Sequence, residues 1–147
     1  MSPGPGSPDA RRAERPVREI IADFLSAGPY AVVGASNDRA KYGNRVLRAY
    51  QSKGMKVFPV NPREPQIEGL EAYPDLKSLP ETPRGVSIIT PPAVTERIVT
   101  EAADQGARFV WMQPGAESEE AIRIARGRGL EVIADGSCFL VKTRFRG

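Results

Sequence analysis

Five short apolar runs recur along the chain, and the stretches between them carry a helical period. The runs are Tyr30-Ala31-Val32-Val33-Gly34, Lys56-Val57-Phe58-Pro59-Val60, Gly85-Val86-Ser87-Ile88-Ile89, Arg108-Phe109-Val110-Trp111-Met112 and Leu130-Glu131-Val132-Ile133-Ala134. Strands this continuously apolar must be covered on both faces, which is the habit of parallel sheets. Parallel neighbours need long crossovers, usually helices. The sequence therefore predicts an α/β fold: a Rossmann-like, doubly wound, mainly parallel five-stranded sheet with helices on both faces.

The intervening segments agree. Val17, Ile20, Ile21, Phe24 and Leu25 make one helical face. Pro16 suits its first turn, and Gly28-Pro29 ends it. Asn44 is expected to cap a second helix carrying Val46, Leu47 and Tyr50, closed by Gly54. A third helix follows Pro91-Pro92, with Val94, Ile98, Val99, Ala102 and Ala103 inward and Gly106 at its end. Ser118 is expected to cap a fourth, running to Arg126 with Ala121, Ile122 and Ala125 facing in. Residues 63–84 read as irregular and proline-rich, with one helical turn near Asp75–Leu79.

At 147 residues the chain is the size of one domain, here expected over residues 16–147. Residues 1–15, punctuated by Pro3, Gly4, Pro5, Gly6 and Pro8, are expected to form a disordered tail. A single cysteine excludes a scaffold held by internal disulfides. The absence of histidine removes the commonest general base and zinc ligand. A net charge of +3 is too small and too scattered to argue for nucleic acid. No apolar run approaches the about 20 residues that cross a bilayer. Arg11-Arg12 lacks the apolar stretch of an export signal, because Arg18, Glu19 and Asp23 interrupt the residues after it. A cytoplasmic protein is the expectation.

Ligands of doubly wound sheets bind beyond the carboxyl ends of the strands. Attention therefore falls on residues 34–44, 61–63, 90–94, 113–117 and 135–138. In the first of these loops Gly34 and Gly43 bracket Ala35, Ser36, Asn37, Asp38, Arg39, Ala40, Lys41 and Tyr42. The spacing is wider than the G-x-G-x-x-G of dinucleotide folds, and implies a wider phosphate site beside a helix start. The same glycines could serve only to turn the chain. A branched side chain at Gly34 is expected to fill the space of a pyrophosphate without unfolding the protein. Past the second strand stands Asn61-Pro62-Arg63, without the acidic residue that would hold the ribose hydroxyls of NAD. Asn61 could bond a base or sugar, and the Arg63 fork suits an extra ribose phosphate, as in NADP or coenzyme A. A plain surface turn is the alternative. Pro91, Pro92 and Val94 offer an apolar wall for a base, or merely a stiff helix start. Gln113 and Gly115 supply amides after the fourth strand.

Phe109 and Trp111 read as core rather than as a stacking platform. Acids at the start and bases at the end of residues 117–128 complement a helix dipole and require no partner. Cys138 is either a small buried apolar residue or a thiol able to join a thiol cofactor in a mixed disulfide.

The series AVVGAS, FPVNPR, TPPAV and VWMQPGAESEEA, in this order, resembles the small stand-alone CoA-binding proteins. These are similar to the N-terminal domain of the succinyl-CoA synthetase α-subunit and of ADP-forming acyl-CoA synthetases. The resemblance spans about residues 17–141. It implies coenzyme A as the cofactor. Gly34, Ala35, Ser36, Asn37, Lys41 and Tyr42 would lie around the pyrophosphate, and Asn61, Pro62 and Arg63 by the adenosine phosphate. Pro91, Pro92 and Val94 would line the adenine, and Gln113 with Gly115 the pantetheine exit. The family's D-R-C segment stands here as Asp135-Gly136-Ser137-Cys138, with the cysteine displaced by one and the arginine absent. The related synthetases pass a phosphoryl group through a histidine on another domain. A CoA- or acyl-CoA-binding module without chemistry of its own is therefore expected, with neither nucleic acid nor membrane as partner. A protein partner or a second copy of the chain stays open. An NADP-dependent oxidoreductase or a nucleotide-sensing subunit is the alternative.

Overall fold

The computed structural model describes residues 15–26 and 28–147. Residues 1–14 of the expected tail lie outside the described residues. The elements are α1 (Val17–Leu25), β1 (Tyr30–Val33), α2 (Tyr42–Ser52), β2 (Val57–Val60), β3 (Gln66–Ile67), β4 (Leu70–Glu71), a 3-10 turn (Leu76–Ser78), β5 (Gly85–Ile88), α3 (Pro92–Asp104), β6 (Phe109–Met112), α4 (Glu119–Gly127), β7 (Glu131–Ile133) and α5 (Phe139–Lys142). Five strands form one sheet in the order β2-β1-β5-β6-β7. Every pairing within it is parallel. The chain starts near the middle, winds outward through β2, then returns to β5 and winds the other way. The reversal between β1 and β5 is the switch point at which such sheets open a crevice.

The period of two along each strand separates the faces. Tyr30, Val32, Phe109, Trp111 and Ile133 pack with Ile20, Phe24, Leu47, Tyr50 and Phe139 of α1, α2 and α5. Ala31, Val33, Val86, Ile88, Val110 and Met112 pack with Ile98, Val99, Ala121 and Ala125 of α3 and α4. Trp111 and Phe109 are fully buried, as expected of core residues. Phe24 meets Trp111 edge-on with ring centroids 5.2 Å apart, and Tyr50 stacks on Phe139 at 4.0 Å. Fully burying each such ring contributes about 1.5–3 kcal/mol. At the amino end of the sheet the buried Glu131 carboxylate is held by Arg15 and by Arg108.

Two helix starts can be compared with the sequence. Ser118 caps α4, its hydroxyl accepting from the Ala121 amide at 3.1 Å. Asn44 does not cap α2: the helix begins two residues earlier and Asn44 is buried within it. Its amide instead donates to the Ser36 carbonyl and to Glu68, each at 2.8 Å. The segment 63–84 holds more order than expected. Besides the helical turn it carries the β3–β4 hairpin.

Candidate functional site

The loop after β1 is folded by its own polar groups. Gly34 has φ +99°, and a Cβ there would run into the Ile89 carbonyl oxygen. A Cβ on Gly43 would run into the carbonyl of Gly34. The two glycines thus let β1, the exit of β5 and the start of α2 close on one another. The space beyond the Gly34 Cα belongs to Ile89, so a branched residue there strikes backbone. This corrects the expectation that Gly34 could be substituted without unfolding.

The side chains of this loop point largely to the protein. Ser36 Oγ accepts from the Asp38 amide at 3.0 Å. Asn37 donates to Glu64 at 3.1 Å and to the Gln66 carbonyl at 2.7 Å. Arg39 pairs with Glu68 at 2.8 Å. The Arg39 guanidinium, and then the Asn44 amide, hold the Glu68 carboxyl below its usual range. Asn61 is used in the same way: it donates to the Ala35 carbonyl at 2.8 Å and accepts from the amides of Arg63 and Glu64. Its side chain braces the strand ends and is not aimed at a base or sugar. Ala35 is buried beneath the loop. Lys41, Pro62 and Arg63 are exposed, and neither cation has an ion-pair partner among the described residues.

The other wall of the crevice is apolar. A cleft of about 560 Å³ opens past the ends of β5 and β6 against the start of α2, lined by Tyr42, Ile89, Thr90, Pro91, Gly115 and Cys138 with Pro114 and Ala116. Of the residues expected here, Tyr42, Pro91 and Gly115 face the cleft, whereas Pro92 and Val94 lie outside its lining on the first turn of α3. Gln113 is 1% exposed, so it acts from behind the surface. Its Oε1 accepts from the Phe139 amide at 2.9 Å and from the Tyr42 hydroxyl at 3.0 Å. Tyr42 lies 2.6 Å from Cys138 Sγ. With the Tyr42 proton given to Gln113, the thiol is the donor to the phenol oxygen. Burial, reinforced by the thiol, pushes the Tyr42 hydroxyl far above its ordinary range and keeps it protonated. Gln113 Nε2 is buried with no partner among the described residues.

Cys138 is half-buried and lines the cleft, so it is not a fully buried core residue. The turn that delivers it is fixed by the indole of Trp111 donating to the Ser137 carbonyl at 2.9 Å. A lone cysteine past the fifth strand signals its presence at this end of the sheet. The contact with Tyr42, 96 positions away, carries no sequence signal. Among the described residues no group of histidine, cysteine or acidic side chains is placed to hold a metal ion. No helix among them is long and apolar enough to cross a membrane.

The chain is similar in sequence and fold to several proteins. It is 29% identical over 133 residues to the α-subunit of an ADP-forming acetate–CoA ligase II of Pyrococcus furiosus, covering 82% of this chain. It spans only 29% of the length of that curated subunit. A conserved hypothetical protein of Pyrococcus furiosus superposes with a TM-score of 0.73 at 42% identity, over 77% of this chain and 97% of that one. A dinucleotide-forming acetyl-coenzyme A synthetase 1 of Ca. Korarchaeum cryptofilum superposes with a TM-score of 0.65 at 30% identity, over 73% of this chain and 26% of that one. Residues 29–144 match the model of the CoA-binding domain, and the chain belongs to that family.

Proposed function

We propose that the protein binds coenzyme A or an acyl-CoA and performs no covalent chemistry on it alone. The observation that carries this reading is the cleft at the switch point, apolar on the Pro91 side, with an exposed Lys41 preceding its lining residue Tyr42 and an exposed Arg63 past the end of β2. The pyrophosphate would rest on the amides of residues 34–37 with Lys41 beside it. Arg63 would take the ribose phosphate, the adenine would lie toward Pro91, and the pantetheine would pass Gly115 toward Tyr42 and Cys138. The membership in a CoA-binding family supports the assignment of the ligand.

NAD is disfavoured for a local reason, whereas Arg63 suits the extra ribose phosphate of NADP and of coenzyme A alike, and titration separates those two. The carboxylate nearest the end of β2, Glu64, accepts from Asn37, and Asn61 is turned into the loop. Neither is free to hold a ribose diol. The histidine through which the related synthetases pass a phosphoryl group stands on another domain, and these 147 residues contain none, so this domain by itself carries no such relay.

Calorimetric titration tests the reading with coenzyme A, dephospho-CoA, NAD and NADP. Coenzyme A should bind and both nicotinamide dinucleotides should fail. Arg63→Ala should weaken coenzyme A by about ten-fold, the loss of one charge-assisted contact. Dephospho-CoA should bind more weakly and ignore the substitution. An equal loss for both ligands would place Arg63 elsewhere, and NADP binding as tight as coenzyme A would overturn the reading.

A further inference from the structure

A second cleft, of about 510 Å³, adjoins the first and shares Tyr42 and Cys138 with it. Beyond those two residues it is lined by Arg45 of α2 and by Leu140, Val141, Arg144, Phe145 and Arg146 of the C-terminal segment. No acidic side chain is in the lining. Arg45, Arg144 and Arg146 are exposed, and their guanidinium groups have no hydrogen-bond or ion-pair partner among the described residues. The neighbouring Arg48 is different. It donates to Asn44 at 2.8 Å and lies over the Phe145 ring at 5.5 Å. It props the wall of the cleft and is already engaged. Val141, at 71% exposure the most exposed large aliphatic side chain described, stands on the same wall.

We infer that this second cleft is an acyl subsite for CoA thioesters whose acyl chain ends in a carboxylate. The inference rests on the coenzyme A reading above, which brings the sulfur of the ligand to Tyr42 and Cys138. These are the two residues common to both clefts, so whatever the sulfur carries extends past them toward the arginines. The wall decides the chemistry. Leu140, Val141 and Phe145 suit a hydrocarbon chain, and the three unpaired guanidiniums beyond suit an anion at its far end. A neutral acyl chain would cover the apolar wall and leave three like charges facing one another. A phosphate has no apolar body to set against the wall. The carboxylate-ended chain satisfies both halves of the cleft.

Titration with glutaryl-CoA, pentanoyl-CoA and coenzyme A decides this, because the first two share a five-carbon chain and differ in its end. Each is measured against the native protein and an R45Q/R144Q/R146Q variant, in low salt and in 0.5 M salt. Arg48, which supports Phe145, is left intact. Glutaryl-CoA should bind the native protein about five- to ten-fold more tightly than pentanoyl-CoA, a modest ratio because exposed ion pairs are weak. The preference should fade in high salt. The variant should lose the preference and keep its affinity for coenzyme A. Equal affinities for the two thioesters in the native protein would overturn the inference, leaving the arginines simply solvated. An equal loss for all three ligands in the variant would also overturn it, because the arginines would then hold the phosphates common to all. Failure of coenzyme A itself to bind the native protein would defeat the coenzyme A reading, and this inference with it. That outcome is distinguishable because neither thioester would then need to be compared.

Discussion

The two ends of the crevice use their polar groups in opposite ways. Around residues 34–44 and 61–68 the side chains of Ser36, Asn37, Arg39, Asn44, Asn61 and Glu68 are all bonded to other parts of the protein. At the Gly115 end the walls are apolar, Gln113 Nε2 is buried without a partner, and three arginines stand unpaired a short way beyond. The first end is a frame completed by its own hydrogen bonds, so under the coenzyme A proposal its contribution to binding would fall to backbone amides and two exposed cations. A ligand that meets a fixed frame loses little to reorganisation. The second end leaves its polar capacity unspent, which is where discrimination between ligands can arise. Polar residues in a candidate site are therefore a poor guide to contacts until their internal partners are known. Asn61 is the clear case, a residue of suitable type and place whose side chain is committed to the strand ends.

The largest expected effect tests whether the frame is a matter of backbone packing. Gly34→Val places a branched residue at φ +99° with its Cβ against the Ile89 carbonyl. Positive φ for a β-branched residue and overpacking each cost of the order of 1–3 kcal/mol. Loss of soluble protein, or a fall in Tm of about 10 °C or more, is expected in thermal denaturation. A variant with native Tm and abolished ligand binding would show instead that Gly34 is kept for the ligand, and the frame would lose its central joint.

That joint also shows what the sequence could reveal. The apolar runs placed all five strands of the main sheet, because burial on both faces leaves a continuous signal. The same pattern directed attention to Gly34, Arg63, Pro91 and Gly115, since in this fold the strand ends are fixed once the strands are. The bracing of those ends was not legible. The β3–β4 hairpin has strands of two residues each, too short for any period to register, and turns through Glu68 and Gly69 at φ +50° and +80°. Such a turn usually announces itself as Asn-Gly or Asp-Gly, and Glu-Gly does not. The hairpin supplies Glu68 and the Gln66 carbonyl, so without it the roles of Asn37, Arg39 and Asn44 could not be foreseen. Helix α5, only four residues long, fell below the same threshold. With it went the placement of Cys138 against Tyr42.

The next effect in size belongs to the other end of the crevice. Gln113 Oε1 serves two donors, the Phe139 amide and the Tyr42 hydroxyl. Gln113→Leu keeps the volume but leaves both donors without that acceptor. A buried donor stripped of its partner costs about 1–3 kcal/mol. Removing the orphan Nε2 offsets part of this, so a net loss of about 2 kcal/mol is expected in urea denaturation. The loss should come with a shift of the Tyr42 environment, readable in near-ultraviolet absorbance. A neutral or stabilising result would mean that Tyr42 and α5 hold their places by packing alone. The contrast between a braced end and an unspent end would then weaken, since neither would depend on this carboxamide.

The smallest effect sharpens the contrast from the braced side. Glu68 ties the hairpin to the loop through Arg39 and Asn44, and both contacts hold its carboxyl below the usual range. A carboxylate depressed on folding stabilises the native state above its unfolded pKa, near 4.5. That contribution disappears as pH falls through the lower folded value. Glu68→Gln keeps the shape, and Asn44 and Arg39 Nε can still donate to the oxygen of the introduced carboxamide, so the charge and the acceptor for Arg39 Nη2 are removed. Arg39 is largely exposed, and exposed pairs contribute little. At pH 7 the substitution should lower Tm by no more than about 2 °C. As pH falls below 4.5 and through the lower folded value the difference should narrow, because the native protein is losing its charge there as well. The narrowing should come from the native protein approaching the variant, not the reverse. A difference that stays constant from pH 7 down to full protonation of the native carboxylate would assign the cost to geometry rather than charge. No difference at any pH would show that the hairpin is held by the Asn37 and Gln51 bonds to its backbone carbonyls, and that Glu68 adds only orientation to a frame already closed.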